Sequence, residues 1–346
     1  MDCGAFDGQV VRLEGIKDIA DKFVRVRLTR IENVDLNLFE FDYDVTFMVF
    51  FLNAEKKVFG RYGGRDAEGA DARQSLKGLK YTMESVLRMH EREDKVFAPK
   101  SGEKPRFIKD IPGPRGFGRD CMHCHQVREA LNAELHKAGK LTREAVYRYP
   151  PPDNLGMELD VDRGGTVKAV KEKSAASAAG LKAGDVLQTL NGVPIHSFGD
   201  AQYALDLAPK EGAIEVVWKR DSKVHREKLT LAEGWRKTDL LWRASMRDLL
   251  PSARLSGFEL SAEEKKALGL WSKQMAFRQR ESVSKQAKEA GIRAGDIILG
   301  VDDKSFEGDL EKFKEYVQNT YLVGDKVTVN IVRDGKREKV VMMLVK

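Results

Sequence analysis

Cysteine is scarce: three residues in 346, Cys3, Cys121 and Cys124, too few for a disulfide scaffold, and two of them form one tight pair. Long apolar runs are missing as well. The longest, Val45 to Leu52, is interrupted by Thr46, whereas a membrane-spanning helix takes about 20 residues; no transmembrane segment is expected. Basic runs interleaved with aromatics are lacking, and 60 Lys and Arg are nearly balanced by 54 Asp and Glu, so nucleic acid is not an expected partner. The opening Met-Asp-Cys-Gly-Ala-Phe-Asp has neither a basic start nor an apolar core, and no signal peptide is read from it. The chain is therefore either cytoplasmic or a processed or trimmed form. Apolar residues at 42% and charged residues at 33% suit folded domains, and the length calls for two or three of them.

The basic excess is local. Residues 95–150 carry 12 basic and 6 acidic side chains, against 15 and 18 in 1–94 and 33 and 30 in 151–346. The stretch from Lys95 to Arg119 is rich in proline and glycine without a sustained period, so it reads as loop. It leads to Cys121-Met122-His123-Cys124-His125 and a helix expected from Gln126 to about Lys137.

In the first block Val10, Leu13, Ile16, Ile19 and Ala20 recur at helical spacing, predicting a helix over roughly 5–21. Phe23 to Leu28 alternates apolar and basic residues, the pattern of a half-buried strand. Thr46 to Leu52 reads as a buried strand, Val58 to Tyr62 as its hairpin partner, and 70–93 as a long helix. All three strands are expected in one sheet. This order resembles a thioredoxin-like domain entered at its first helix, with Cys3 where that family places the second cysteine of its redox pair. The first cysteine would lie before residue 1, and Tyr43-Asp44-Val45-Thr46 stands where the family has a cis-proline. The resemblance implies a shell used for structure or docking rather than a dithiol oxidoreductase.

The remainder contains a repeat. Ala179-Gly180-Leu181-Lys182-Ala183-Gly184-Asp185-Val186-Leu187 recurs as Ala290-Gly291-Ile292-Arg293-Ala294-Gly295-Asp296-Ile297-Ile298, offset by 111. Each copy has a Leu-Gly-apolar tripeptide upstream (Leu155-Gly156-Met157 and Leu268-Gly269-Leu270), a helix after the signature, and a closing hairpin with Arg-Asp in its turn (Arg220-Asp221 and Arg333-Asp334). The glycines read as turn residues, and the aspartates as acceptors of backbone amides in those turns. The pair resembles tandem PDZ domains of the kind found in exported bacterial heat-shock serine proteases. That resemblance implies that backbone N–H groups of Leu155, Gly156 and Met157, and of Leu268, Gly269 and Leu270, receive a peptide carboxylate while the ligand adds a strand to the sheet edge. A helix over Ser261 to Ala267 is expected to pack against the second loop. No Gly-x-Ser-x-Gly elbow accompanies the pair, so a protease centre is not read from this chain.

Cys-x-x-Cys-His is the attachment motif of c-type haem. On that reading the thiols of Cys121 and Cys124 hold the porphyrin and His125 is the metal ligand. His123 projects away, and His136, His90 and Met157 compete for the sixth position. Zinc on the same residues, a thiol–disulfide pair or a purely structural pair are the alternatives. His196 and His225 are expected at the surface. The Trp- and Leu-rich stretch from Glu233 to Leu250 is expected to join two domains.

The sequence thus predicts an α+β multidomain protein. A thioredoxin-like α/β domain (1–94) precedes the basic Cys-x-x-Cys-His segment (95–150). PDZ-type β-sandwich domains with capping helices follow (151–233 and 253–346), separated by a connector (234–252). The function expected is an exported, periplasmic redox or electron-transfer accessory carrying covalent haem c. Its PDZ pair would hold C-termini or internal strands of partner proteins. The competing reading is a non-enzymatic peptide-binding adaptor.

Overall fold

The computed structural model describes residues 15–28, 30–94, 96, 102–111 and 122–346. The chain divides into two compact units, Met1–Ser245 and Met246–Lys346.

The first unit starts with a single helical turn, α1 (Lys17–Ala20), and the antiparallel hairpin β1 (Met48–Leu52) and β2 (Val58–Gly63). Helix α2 (Leu76–Glu91) follows, its start fixed by the Ser75 hydroxyl, which accepts the Gly78 N–H at 2.9 Å. Its inner face of Leu79, Met83, Val86 and Met89 packs with Phe51, Phe59 and Tyr62 of the hairpin. Helix α3 (Cys124–Lys137) covers a second apolar cluster around Tyr43, Val45, Ile108 and Val127, and α4 (Arg143–Val146) leads on to the repeat.

Two sheets then enclose one core. The hairpin β3 (Met157–Leu159) and β4 (Val167–Val170) is followed by α5 (Ala175–Ala178), β5 (Val186–Leu190), β6 (Val193–Pro194), α6 (Phe198–Asp206), β7 (Gly212–Arg220) and β8 (Lys223–Leu231), the larger sheet running β6-β5-β7-β8. Met157, Leu187, Leu190, Leu205, Trp218 and Leu229 fill it.

The second unit repeats the order with a helix added between its first two strands and, among the described residues, no counterpart of β6: β9 (Gly257–Glu259), α7 (Ala262–Ala267), β10 (Phe277–Gln279), α8 (Lys285–Glu289), β11 (Ile297–Val301), α9 (Leu310–Thr320), β12 (Lys326–Arg333) and β13 (Lys336–Met343). Its sheet runs β13-β12-β11-β10-β9.

The repeated signature behaves alike in both units. Gly180 and Gly184 have φ of 83° and 90°, Gly291 and Gly295 of 92° and 85°, the left-handed region where a Cβ would be strained. Asp185 accepts the Lys182 N–H at 2.8 Å and Asp296 the Arg293 N–H at 2.7 Å. Each aspartate also takes a bidentate arginine from the closing hairpin, Arg220 or Arg333. The Arg-Asp turn is thus tied to the Gly-Asp turn across the sheet, a pairing the spacing alone did not reveal.

The N-terminal block departs from expectation. The sheet there has two strands; Phe23–Leu28 joins none, and Val24 is 95% exposed. Alternation prepares a segment for a sheet edge, but pairing needs an edge that tertiary packing leaves open. Among the described residues three strands in one sheet, and with them the thioredoxin-like arrangement, are not found. Of the helix expected over 5–21 only Lys17–Ala20 is helical among the described residues; Cys3 lies outside them. The helix expected over 70–93 starts later, at Leu76, because Ser75 caps it. The Trp-rich stretch belongs to the first unit as far as Ser245. Trp235 sits in the PDZ core and donates Nε1–H to Pro209 O at 3.1 Å. Arg243 meanwhile reaches back to Asp42 and Asp44.

Candidate peptide-binding grooves

A PDZ groove needs a strand with one unpaired edge, a turn leading into it, and a helix alongside. In the first unit the turn is the 3₁₀ stretch Pro152–Leu155, closed by Gly156 at φ 81°. Asp160 N–H donates to Thr166 O and Lys171 N–H to Gly156 O. Even-numbered positions therefore face β4, and Met157 and Leu159 present their backbone groups on the other edge. Of the expected loop amides, that of Gly156 is already bonded to Asp153 O at 2.9 Å. The Leu155 and Met157 side chains are buried in the core, so Met157 is packing rather than a haem ligand.

In the second unit the equivalent turn is not the tripeptide Leu268-Gly269-Leu270. Those residues lie between α7 and β10, beyond the edge strand. Leu270 N–H bonds Lys265 O at 2.9 Å and Gly269 sits at φ 66°, the signature of a helix terminator. A capping box at Ser261 and Glu264 starts that same helix. These two signals together mark Gly269 as the end of a helix, and they were legible in the sequence. The turn that enters β9 is Ala253–Ser256, with Arg254 at φ 50°. The Arg254 side chain holds Lys346 O, with Nε at 3.2 Å. Leu260 N–H donates to Ala276 O and Arg280 N–H to Ser256 O. Gly257 and Glu259 therefore turn their N–H and C=O groups to the edge that no strand of this sheet covers. Glu259 Oε1 accepts the Leu310 N–H at 2.6 Å, which aligns the start of α9 with the end of β9.

At the other expected site, Cys121 lies outside the described residues. Cys124 is half-buried at the start of α3 and packs with Met122 on the cluster around Tyr43 and Val127. His125 Nδ1 is 2.9 Å from Glu129 Oε1, one turn along the helix, and its ring stacks with that of His123 at 5.7 Å. His90 and His136 are exposed, His90 against Phe59.

His196 and His225 are not surface residues in the sense expected. His225 stacks on the buried Trp218 at 5.3 Å. His196 lies where α2 meets the entry to α6: its N–H donates to Asp200, its carbonyl accepts from Thr82 Oγ1, and Nε2 is 2.9 Å from Met89 Sδ. Burial, with Arg88 and Arg92 nearby, pushes its pKa down to about 4. Its ordinary value is about 6.5. The contribution of neutral His196 is complete above pH 6.5 and is lost as pH falls through 4. Asp200 runs the other way: burial pushes it up to about 7, so its contribution is present below about pH 4 and lost as pH rises through 7. A His196→Gln variant isolates the first effect. Wild type is expected to lose roughly 2 kcal/mol relative to the variant between pH 7 and 4; parallel denaturation curves across that range would refute it.

Comparison with known proteins agrees with this geometry. Models of the PDZ domain family match residues 166–220 and 279–344. A probable periplasmic serine protease do/HhoA-like of Haemophilus influenzae is 33% identical over 51% of this chain and 34% of its own length. Periplasmic serine endoprotease DegP of Escherichia coli is 26% identical over 45% and 30%. A probable DegP-like periplasmic serine endoprotease of Ectopseudomonas mendocina is 30% identical over 61% and 44%. The chain spans about a third of the length of the first two of these relatives. They overturn the electron-transfer reading drawn from Cys-x-x-Cys-His: the likeness runs to PDZ-bearing periplasmic endoproteases and not to haem c redox proteins. This chain carries two PDZ domains in tandem, similar to those of the periplasmic serine endoproteases.

Proposed function

We propose that the chain recognises extended segments of other proteins by strand addition, with the second PDZ domain as the open groove, in an exported compartment such as the periplasm of its relatives' names. The observation that carries this is the edge of β9. Gly257 and Glu259 offer main-chain donors and acceptors on an edge unpaired within its sheet, Phe258 is 64% exposed, and α9 lies alongside. Main-chain bonds along such an edge supply affinity, and side-chain pockets supply selectivity.

Glu259→Pro tests it. Proline at an edge position removes one outward N–H and leaves the inner ladder intact. It also removes the carboxylate bonded to the Leu310 N–H, so Glu259→Ala, which keeps the N–H, is the control and is expected to retain most of the binding. A fluorescent ten-residue peptide with an apolar last residue and a free carboxylate is expected to bind the wild-type chain, and at least tenfold more weakly the variant, with circular dichroism unchanged. Equal binding by a folded Glu259→Pro chain, or no binding by wild type across a panel of such peptides, would overturn the proposal.

A further inference from the structure

We infer that the first PDZ groove is filled in cis by the chain's own segment from Tyr62 to Gly78, latched by Arg73, so that the tandem reads partners through one groove. This rests on the strand-addition reading above. Phe198 and Gln202 stand one turn apart on α6, and the backbone of Gly64 lies directly on them. A Cβ at Gly64 would be 2.7 Å from both Phe198 Cδ1 and Gln202 Oε1, and φ there is 117°, so glycine alone allows so close an approach. Gln202 Nε2 donates to Arg65 O at 3.2 Å. On the strand side, Ser75 Oγ donates to Asp162 Oδ1 at 2.6 Å, and a Cβ on Gly78 would collide with Val161 O.

Between these two walls sits Arg73, its side chain 5% exposed. Its Nε donates to Asp66 at 2.6 Å, and Nη2 lies 3.3 Å from Glu68 and 3.4 Å from Asp153, beside the turn that enters β3. The guanidinium carbon is 5.1 Å from the Phe198 ring centroid. What remains of the groove between Leu159 and Phe198 is a crevice lined by Tyr62 and Arg73. Among the described residues no main-chain hydrogen bond joins this segment to Met157–Leu159. The occupant is therefore a side-chain plug rather than an added strand. The Arg73 pairs with Asp66 and Glu68 lie within the segment and hold the guanidinium in place, while its pair with Asp153 ties the segment to the PDZ domain, more strongly than at an exposed site because the guanidinium is withdrawn from water.

The test uses the full chain and the peptide probe above, read by binding stoichiometry and by amide hydrogen exchange. Wild type is expected to bind one peptide, with protection at Gly257–Glu259 and none at Met157–Leu159. Glu259→Pro is expected to bind at least tenfold more weakly and to show no protection at Met157–Leu159, and Glu259→Pro with Arg73→Ala to bind one peptide tightly, now protecting Met157–Leu159. Even without peptide, Arg73→Ala is expected to raise exchange of the Met157–Leu159 amides at least tenfold; unchanged rates overturn the inference. So does a second peptide on the wild-type chain, or protection of Met157–Leu159 in either Arg73-containing chain. Should Arg73→Ala not fold, a Ser75→Cys, Asp162→Cys pair gives the converse test. Oxidation is expected to leave the single bound peptide in place, and loss of bound peptide on oxidation overturns the inference. Failure of the recognition reading shows separately, as absence of protection at Gly257–Glu259 in wild type.

Discussion

Arg243→Ala is expected to cost the first unit about 3–5 kcal/mol, the usual penalty for breaking a buried ion cluster from one side. Arg243 is 4% exposed; Nη1 lies 2.7 Å from Asp42 and 3.3 Å from Asp44, and Nη2 donates to Arg148 O at 3.1 Å. Ser245 closes the cluster, its N–H and Oγ bonding Asp44 at 2.9 and 2.7 Å. Burial already pushes the Asp42 pKa up, and the Arg243 guanidinium is the main influence opposing it. Removing the cation leaves two carboxylates out of water without the guanidinium that bonds them both. The cluster ties residues 42–44 to the segment after the first PDZ domain, so the loss is expected throughout the first unit. Chemical denaturation followed by tryptophan fluorescence checks this, because Trp218, Trp235 and Trp242 lie in that unit. A shift under 1 kcal/mol would show that the cluster is not what holds these segments together. Replacing all three charges by apolar side chains of similar volume is expected to recover much of the loss, since an apolar cluster carries no desolvation penalty.

Phe313→Ala is expected to cost the second unit a similar 3–5 kcal/mol. Phe313 is fully buried on α9, its ring 5.7 Å from Phe277 and 6.0 Å from Phe306 by centroid. Truncation leaves a cavity in the core around Phe277 and Phe306, and the ring–ring contacts are lost with it. The transition followed by exchange of the β11 and β12 amides is expected to move, while that of β5 and β7 stays. Peptide binding at β9 is expected to weaken as well, because the start of α9 is bonded to Glu259 of that strand. A variant that binds peptide as wild type does would show that the helix is positioned by something other than its aromatic anchor.

How much was legible in the sequence differs between the two halves. The repeat was plain because its elements are held by local chemistry. Glycines are needed where φ is positive, the aspartate directly after the second glycine caps the turn, and alternating apolar residues build the strands, so each copy announces itself. The second binding turn was misplaced because Leu-Gly-apolar is a short pattern. At 155–157 it enters an edge strand; at 268–270 the same pattern ends a helix. In the N-terminal block Phe23–Leu28 has the alternation of a strand and no edge to join.

The sequence by itself determined two PDZ domains, their order and the chemistry of their turns, because those depend on residues close together in the chain. The tertiary structure decided which groove is open. Gly64, Arg73 and Ser75 meet Phe198, Gln202, Asp153 and Asp162 across separations of 80 residues and more. A plug of that kind leaves no periodicity or spacing to read. Only folding brings the Arg73 guanidinium to Asp153 and to the Phe198 ring, and the burial that strengthens their attraction exists only once they are there.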